Sequence, residues 1–227
     1  QIIQHNSAIM KPETSYKDNI LDQNSIIKSY KRVSSFYDMT FGQVFRPGQK
    51  TVINKMNCQP SDSVLEIGIG TGLSFKYYPD ETKVIGIDIS PDMLKRAKEK
   101  IKKRKSNGKY ISEMNGEQLS FADNSFDKVV AMYVISVTQN PQKLLEEMKR
   151  VCKPGGDIYL VNHFSCDDDG FLIKVFEKAL MPISKILGWK PYFPISEFEK
   201  YAGLNIKEIS KVNIFNYWNI IHAENKK

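Results

Sequence analysis

From Ser63 onward, apolar and polar positions alternate between two rhythms. Short apolar runs at 63–67, 83–88, 110–114, 128–135 and 157–163 read as buried strands, because a sheet covered on both faces needs nearly continuous apolar stretches of this length. Helical stretches separate several of them. Ser90-Pro91-Asp92 and Asn140-Pro141 each set a capping side chain before a proline in a helix's first turn, and Leu144, Met148 and Val151 then form a buried stripe. Lys153-Pro154-Gly155-Gly156 stops that helix and aims the fifth strand. The alternation predicts an α/β fold: a doubly wound, Rossmann-like sheet, parallel through these five strands, with helices on both faces. Two further strand-like runs within 206–221 predict an antiparallel C-terminal hairpin on the sheet edge.

Elsewhere the pattern changes. Residues 1 to about 20 lack periodicity and read as an arm. Ile26, Tyr30, Val33 and Tyr37 fall at helical spacing, with Lys28, Lys31 and Arg32 off that stripe. Such a basic amphipathic helix packs on the domain with a solvated face, or touches an anionic membrane; the two roles are compatible. Arg46-Pro47-Gly48 predicts a turn, followed by a helix from Gln49 to Met56. The expected organisation is an arm and lid helix over 1–45 and a single domain over 46–227. Phe171 to Leu187 carries a wide apolar arc, broken by Pro182, with Lys174, Glu177, Lys178 and Lys185 on its narrow polar face. It is either a cover over the core or a surface meeting lipid tails. The run Lys102-Lys103-Arg104-Lys105 reads first as the solvated end of a helix, and otherwise as a contact for lipid or nucleic acid.

Composition narrows the setting. With 227 residues, 41% hydrophobic and 26% charged, the chain suits one globular domain, and no run of about 18 apolar residues is present to span a bilayer. Cys58, Cys152 and Cys166 are odd in number and widely spaced, which favours a reducing cytosol over a disulfide framework. The N-terminal residues show no secretory-signal pattern. The net charge of +7 favours anionic partners without choosing among them.

The chemistry concentrates at Val64-Leu65-Glu66-Ile67-Gly68-Ile69-Gly70-Thr71-Gly72, an apolar strand turning through alternate glycines so that backbone can approach a ligand. A pyrophosphate is best served by Gly-x-Gly-x-x-Gly, yet position 73 is Leu, which disfavours a dinucleotide. Glu66 would repel phosphate and attract a cationic amino group. Asp88, with Ile89 beside it, ends the second strand where a two-oxygen acceptor can grip both ribose hydroxyls. The implied ligand is a cationic nucleoside without pyrophosphate, a description that fits S-adenosylmethionine.

These residues, the segment Asn115-Gly116-Glu117-Gln118-Leu119-Ser120-Phe121-Ala122-Asp123-Asn124-Ser125-Phe126-Asp127 and the Lys153-Pro154-Gly155-Gly156 turn together resemble class I S-adenosylmethionine-dependent methyltransferases. The donor site then comprises Glu66, Gly68, Gly70, Gly72, Asp88, Ile89, Asn115, Gly116 and Glu117, with S-adenosylhomocysteine as product. One departure stands out: Asn115-Gly116 occupies the place where the class often carries an acid for the adenine amino group, although an Asn oxygen can also accept that bond. Tyr37-Asp38-Met39-Thr40-Phe41-Gly42, Ala131-Met132-Tyr133-Val134-Ile135-Ser136-Val137, Val161-Asn162-His163-Phe164 and Gly188-Trp189-Lys190-Pro191 are similar to soluble bacterial phosphatidylethanolamine N-methyltransferases. That resemblance implies successive methylation of an ethanolamine head group toward phosphatidylcholine, by a cytoplasmic protein held peripherally on the inner face of the membrane.

An ammonium acceptor has no lone pair until it loses a proton. His163, at the carboxyl end of the fifth strand, is the candidate base, and otherwise a cap of the strand end. Tyr37 and Tyr133 are candidates to orient the amine through ring faces and phenol oxygens, and otherwise packing residues. Tyr30 would help close a lid, while Lys28, Lys31, Arg32 and Trp189 would meet the lipid surface. The alternatives are a methyltransferase for a quinone-type or other small molecule, a nucleotide-dependent oxidoreductase, and a non-catalytic lipid-surface binder. Nucleic acid is not an expected partner, since no appended binding module is seen.

Overall fold

The computed structural model describes residues 42, 44–104, 107–164, 203–212 and 217–227. The expected basic helix with Tyr30 and Tyr37, the apolar segment 171–187 and the Trp189 loop lie outside them. Seven strands form one sheet: β1 (Ser63–Ile67), β2 (Lys83–Asp88), β3 (Lys109–Glu113), β4 (Phe126–Met132), β5 (Cys152–Asn162), β6 (Asn205–Val212) and β7 (Trp218–Glu224). Their order is β3-β2-β1-β4-β5-β7-β6. The pairs from β3 through β5 are parallel, and β7 lies antiparallel between β5 and the edge strand β6. β1 therefore has β2 on one side and β4 on the other, which opens a crevice above their carboxyl ends.

Strand alternation divides the core into two layers. Leu65, Ile67, Val129, Ala131, Ile158 and Leu160 pack against Leu144, Leu145, Met148 and Val151 of one helix, α3 (Pro141–Val151). On the other face Val64, Val84, Val130 and Val161 meet Val52, Ile53 and Met56 of the first helix, α1 (44–56), and Leu94 of α2 (Pro91–Arg104). Asn140 caps α3 by accepting the Lys143 N–H at 3.0 Å, with Pro141 next, as its sequence predicts. The Ser90 hydroxyl similarly accepts the Met93 N–H at 3.4 Å at the start of α2.

Several boundaries differ from those read in the sequence, among them the C-terminal hairpin, whose strands run Asn205–Val212 and Trp218–Glu224 where 206–221 was expected. Helix α1 runs through Arg46-Pro47-Gly48, where a turn was expected, and across the 45/46 position taken as a domain boundary. β3 covers Lys109–Glu113 and not 110–114. β4 ends at Met132, because Tyr133 takes the left-handed conformation (φ 64°) and cannot extend the strand. β5 begins at Cys152: Phe126 pairs with Cys152 but Lys128 with Asp157, so Lys153-Pro154-Gly155-Gly156 bulges out of the ladder instead of preceding it. The Asn225 side chain fastens this bulge by donating to the carbonyls of Lys149 and Cys152 at 3.0 and 2.8 Å.

The turn after β1 is tied to β2, where the Ile87 carbonyl accepts the N–H groups of Gly68 (2.8 Å) and Ile69 (2.9 Å). Gly68 has φ +73°, and a Cβ there would stand 2.1 Å from Val134 Cγ2, so both backbone angle and space demand glycine. At the opposite end of the strands, Asp157 of β5 accepts from Lys128 of β4 at 3.0 Å and from His222 of β7 at 2.7 Å. Burial pushes the Asp157 carboxyl up, but these bonds and the Lys128 and His222 charges outweigh it and hold its pKa below the ordinary value.

Gly68→Ala should destabilise the fold by about 2–3 kcal/mol in urea unfolding, the sum of left-handed strain and overpacking. Adding Val134→Ala should recover the steric part only. For Asp157, a depressed folded pKa means a contribution that is full above the unfolded value of about 3.9 and is lost as pH falls through the folded value. Asp157→Asn should therefore cost about 1–2 kcal/mol at neutral pH. Its difference from the parent should close on acidification below about pH 4, measured by denaturant midpoints across pH.

Candidate functional site

The crevice is a cleft with about 870 Å³ of empty space, including the solvent at its mouth. The β1 turn supplies Ile67, Gly68 and Gly70; the end of β2 supplies Asp88 and Ile89, and α2 adds Met93. Met114, Asn115, Gly116 and Glu117 follow from the loop after β3. Met132, Tyr133, Val134, Val137, Thr138 and Gln139 come from the end of β4 and beyond, and Leu144 from α3.

Asp88 organises the floor. One carboxylate oxygen accepts the Gly70 N–H at 2.8 Å, and the other accepts the Ser90 N–H at 2.9 Å. Burial raises its pKa, opposed by the N–H bonds from Ser90, Gly70 and Ile89. Each oxygen of a carboxylate can accept more than one bond, so both retain acceptor capacity toward the cleft. Glu66 is placed differently. It is 2% exposed, accepts the hydroxyls of Ser74 (2.7 Å) and Tyr78 (2.9 Å), and is not among the cleft-lining residues. Burial drives its carboxyl up to about 7 against those two bonds. Its partners belong to the short 3-10 helix Ser74–Tyr77 and the residue after it, so it braces the segment beyond the glycine turn. Gly72 is also absent from the lining; a Cβ there would lie 3.1 Å from the Ala97 Cβ, and the site instead serves close approach of the turn to α2.

The loop after β3 is folded by its own polar groups. Asn115 Oδ1 accepts the Glu117 N–H at 2.9 Å, an Asx turn that leaves one acceptor position on that oxygen. Glu117 Oε1 accepts the Gln139 and Asn140 N–H groups at 2.8 and 3.0 Å, and also the Thr138 hydroxyl, which locks this loop to the one that precedes α3.

Tyr133 and His163 lie in one aromatic array, but only Tyr133 lines the cleft. The Tyr133 ring stacks on Phe45 at 4.3 Å and meets Trp218 edge-on at 6.3 Å, while its hydroxyl donates to the Phe45 carbonyl at 3.2 Å. His163 is 3% exposed, stacked 3.8 Å from Tyr217, whose ring in turn meets Trp218 at 4.8 Å. His163 Nδ1 lies 3.0 Å from the Tyr217 carbonyl. A carbonyl only accepts, so Nδ1 carries the proton of the neutral ring and Nε2 the lone pair. Tyr37, Tyr30, Lys28, Lys31, Arg32 and Trp189 lie outside the described residues.

The cleft also uses residues that sequence reasoning passed over: Met93, Met114, Met132, Val137, Thr138 and Gln139. The Asn140-Pro141 cap was the available signal, since it marks 133–139 as a connection above the end of β4. The basic run at Lys102, Lys103 and Arg104 is exposed at the far end of α2, about 15 Å along the helix from Met93 in the cleft.

A cationic nucleoside fits this donor set. Asp88 offers two oxygens to a pair of hydroxyls, Asn115 an oxygen to an amino group, and three methionines a polarizable wall to a flat base and a sulfur-bearing chain.

The comparisons agree with that chemistry. A methyltransferase domain is matched over residues 65–160. The phosphatidylethanolamine N-methyltransferase of Cereibacter sphaeroides is 38% identical over 189 residues, 83% of this chain and 91% of that protein. A ubiquinone/menaquinone biosynthesis C-methyltransferase of Francisella tularensis subsp. novicida is 33% identical over 180 residues, 73% of this chain and 71% of that one. Among solved structures, Haemonchus contortus phosphoethanolamine N-methyltransferase 2 in complex with S-adenosyl-L-methionine shares the fold, with a TM-score of 0.70 at 20% identity over 89% of this chain and 60% of that one. With this sheet order and relatives of this extent, the chain belongs to the S-adenosylmethionine-dependent methyltransferases, and S-adenosylmethionine is its cofactor.

Proposed function

We propose that this methyltransferase acts on the amine of phosphatidylethanolamine, in successive rounds toward phosphatidylcholine, as a cytoplasmic protein held peripherally on the anionic inner face of a membrane. The observation that carries the reading is the 38% identity across 91% of a protein of that name. Among the described residues no helix is long and apolar enough to cross a membrane, so contact with lipid is assigned to the surface. Lys28, Lys31 and Arg32 would each contribute about 1 kcal/mol near anionic lipid, with Trp189 at the head-group level.

S-adenosylmethionine, when bound, supplies an electrophilic methyl carbon on a positively charged sulfur. The chain's task is alignment and exclusion of water. Asp88 and Ile89 hold the ribose side, while Asn115, Gly116 and Glu117 hold the adenine side. Gly68 and Gly70 let the turn pass close beneath, with Gly72 and Glu66 bracing it. Tyr133 faces the acceptor. Its left-handed backbone and its bond to Phe45 fix the ring, whose face favours an ammonium more as methylation strips away N–H donors. Its hydroxyl hydrogen is committed to Phe45, so the oxygen offers lone pairs and no proton. Tyr37 and Tyr30, which lie outside the described residues, are assigned to the acceptor side from the sequence alone. His163 does not line the cleft, so it would take the proton released in each round only through an intervening water or hydroxyl, at Nε2, the ring nitrogen that does not donate to the Tyr217 carbonyl.

A second reading, methylation of a quinone ring carbon, is favoured by the 33% identical relative. It gives His163 no ammonium proton to accept and gives the basic segments no lipid phosphate to meet.

Purified protein should transfer labelled methyl from S-adenosylmethionine to phosphatidylethanolamine in vesicles, faster when anionic lipid is included. Unlabelled lipid, under conditions where binding of the donor is measured directly, contradicts the acceptor assignment. His163→Ala should lower kcat by about 10²-fold with donor affinity intact, by steady-state kinetics alongside calorimetry. Unchanged kcat removes His163 from the reaction.

A further inference from the structure

Helix α1 carries polar groups that the site described above does not use. Arg46 Nε and Gln49 Oε1 are both buried, and among the described residues neither has a hydrogen-bond partner. No ion pair to Arg46 is found among the described residues either, although its side chain is only partly covered. Three residues apart, the two side chains share one helix face, and Lys50, exposed one position on, stands at i+4 from Arg46 with the same charge. A buried donor of a guanidinium without an acceptor is costly, and like charges at this spacing repel. Both costs vanish if an anion lies against the face. A half-turn of the Gln49 amide replaces its oxygen with two N–H donors, which then converge with the guanidinium fork on the same ligand.

The position of this face makes the anion specific. Phe45, one residue before Arg46, stacks on Tyr133 and accepts its hydroxyl, and Tyr133 lines the cleft. Arg46 thus starts one Cα spacing, about 3.8 Å, from the residue that stacks on Tyr133, although Arg46 and Gln49 are not themselves among the residues lining the cleft. A planar guanidinium with parallel donors matches the oxygens of a phosphate ester. An ethanolamine phosphate places such an anion two carbons from its amine.

We infer that Arg46, with the Gln49 amide and Lys50 beside it, is an anion subsite that binds the phosphate ester of the methyl acceptor and so selects phosphorylated amines over uncharged acceptors. The inference rests on the amine-methylating reading above. The same chemistry is offered by a phospholipid head group and by free phosphoethanolamine.

The test uses the full chain with Arg46→Gln and Arg46→Lys, each checked for the parent's thermal unfolding and S-adenosylhomocysteine affinity. Acceptors are phosphatidylethanolamine vesicles of fixed anionic lipid content and, separately, phosphoethanolamine. Arg46→Gln should raise the acceptor KM at least about tenfold with kcat within about twofold, and vesicle flotation should stay unchanged. Arg46→Lys should recover part of the loss, since an ammonium keeps charge without the fork. A rise with both acceptors supports a subsite for the phosphate alone; a rise confined to vesicles supports the lipid as its source. A parent-like KM in Arg46→Gln overturns the inference, as does a KM rise matched by lost flotation, which would assign Arg46 to general membrane charge. If the parent methylates neither acceptor, the amine-methylating reading fails separately. Equilibrium binding of phosphoethanolamine then decides the subsite: tenfold weaker binding in Arg46→Gln supports it, and equal or absent binding in both proteins overturns it.

Discussion

The Asp88 carboxylate does two jobs at once, and the rest of the site depends on their being compatible. Its oxygens hold the N–H groups of Gly70 and Ser90, so one side chain joins the turn after β1 to the start of α2. The same oxygens keep acceptor capacity toward the cleft. Burial raises the pKa of this carboxyl, and the N–H bonds from Ser90, Gly70 and Ile89 oppose that rise. Removing the acid would therefore disturb the donor site and the scaffold together. Glu66 repeats the logic one layer lower, where a buried carboxyl with a pKa near 7 braces the 3-10 turn through Ser74 and Tyr78 and stays out of the lining.

The acceptor side rests on a different constraint. Tyr133 is held in left-handed backbone geometry, which costs on the order of 1–2 kcal/mol for a residue with a Cβ. Its N–H bond to the Val161 carbonyl and its hydroxyl bond to Phe45 sustain that geometry. The strain thus fixes an aromatic ring in the cleft wall. Through Trp218 and Tyr217 the array reaches His163, just past the end of β5, so stacked rings join helix α1 to the ends of β4, β5 and β7.

Much of this was legible in the residues because local signals and the global fold agree. Continuous apolar runs located β1 and β2 to the residue, and Asn140-Pro141 located the start of α3. Asp88 was readable as a strand-end acid, since topology alone puts such a position over the crevice. The failures have physical causes. Pro47 looked like a turn because proline signals helix starts and turns alike. Tyr133 looked like strand because its left-handed φ comes from tertiary bonds that no periodicity records. Glu66 was read as facing the ligand, when the direction of its side chain was set by Ser74 and Tyr78, eight and twelve residues on. That Arg46 Nε finds no partner among the described residues has no sequence signature, because pairing is a property of neighbours.

The claim on which the account turns is that Asp88 grips the donor at the carboxyl end of β2. Titration calorimetry of S-adenosylhomocysteine against the parent and Asp88→Asn, with NAD as control, addresses it directly. The prediction is tight binding by the parent, affinity weakened at least about tenfold in Asp88→Asn at a temperature where the less stable variant is still folded, and no NAD binding. Equal affinity in both proteins, or NAD bound in place of S-adenosylhomocysteine, would contradict it.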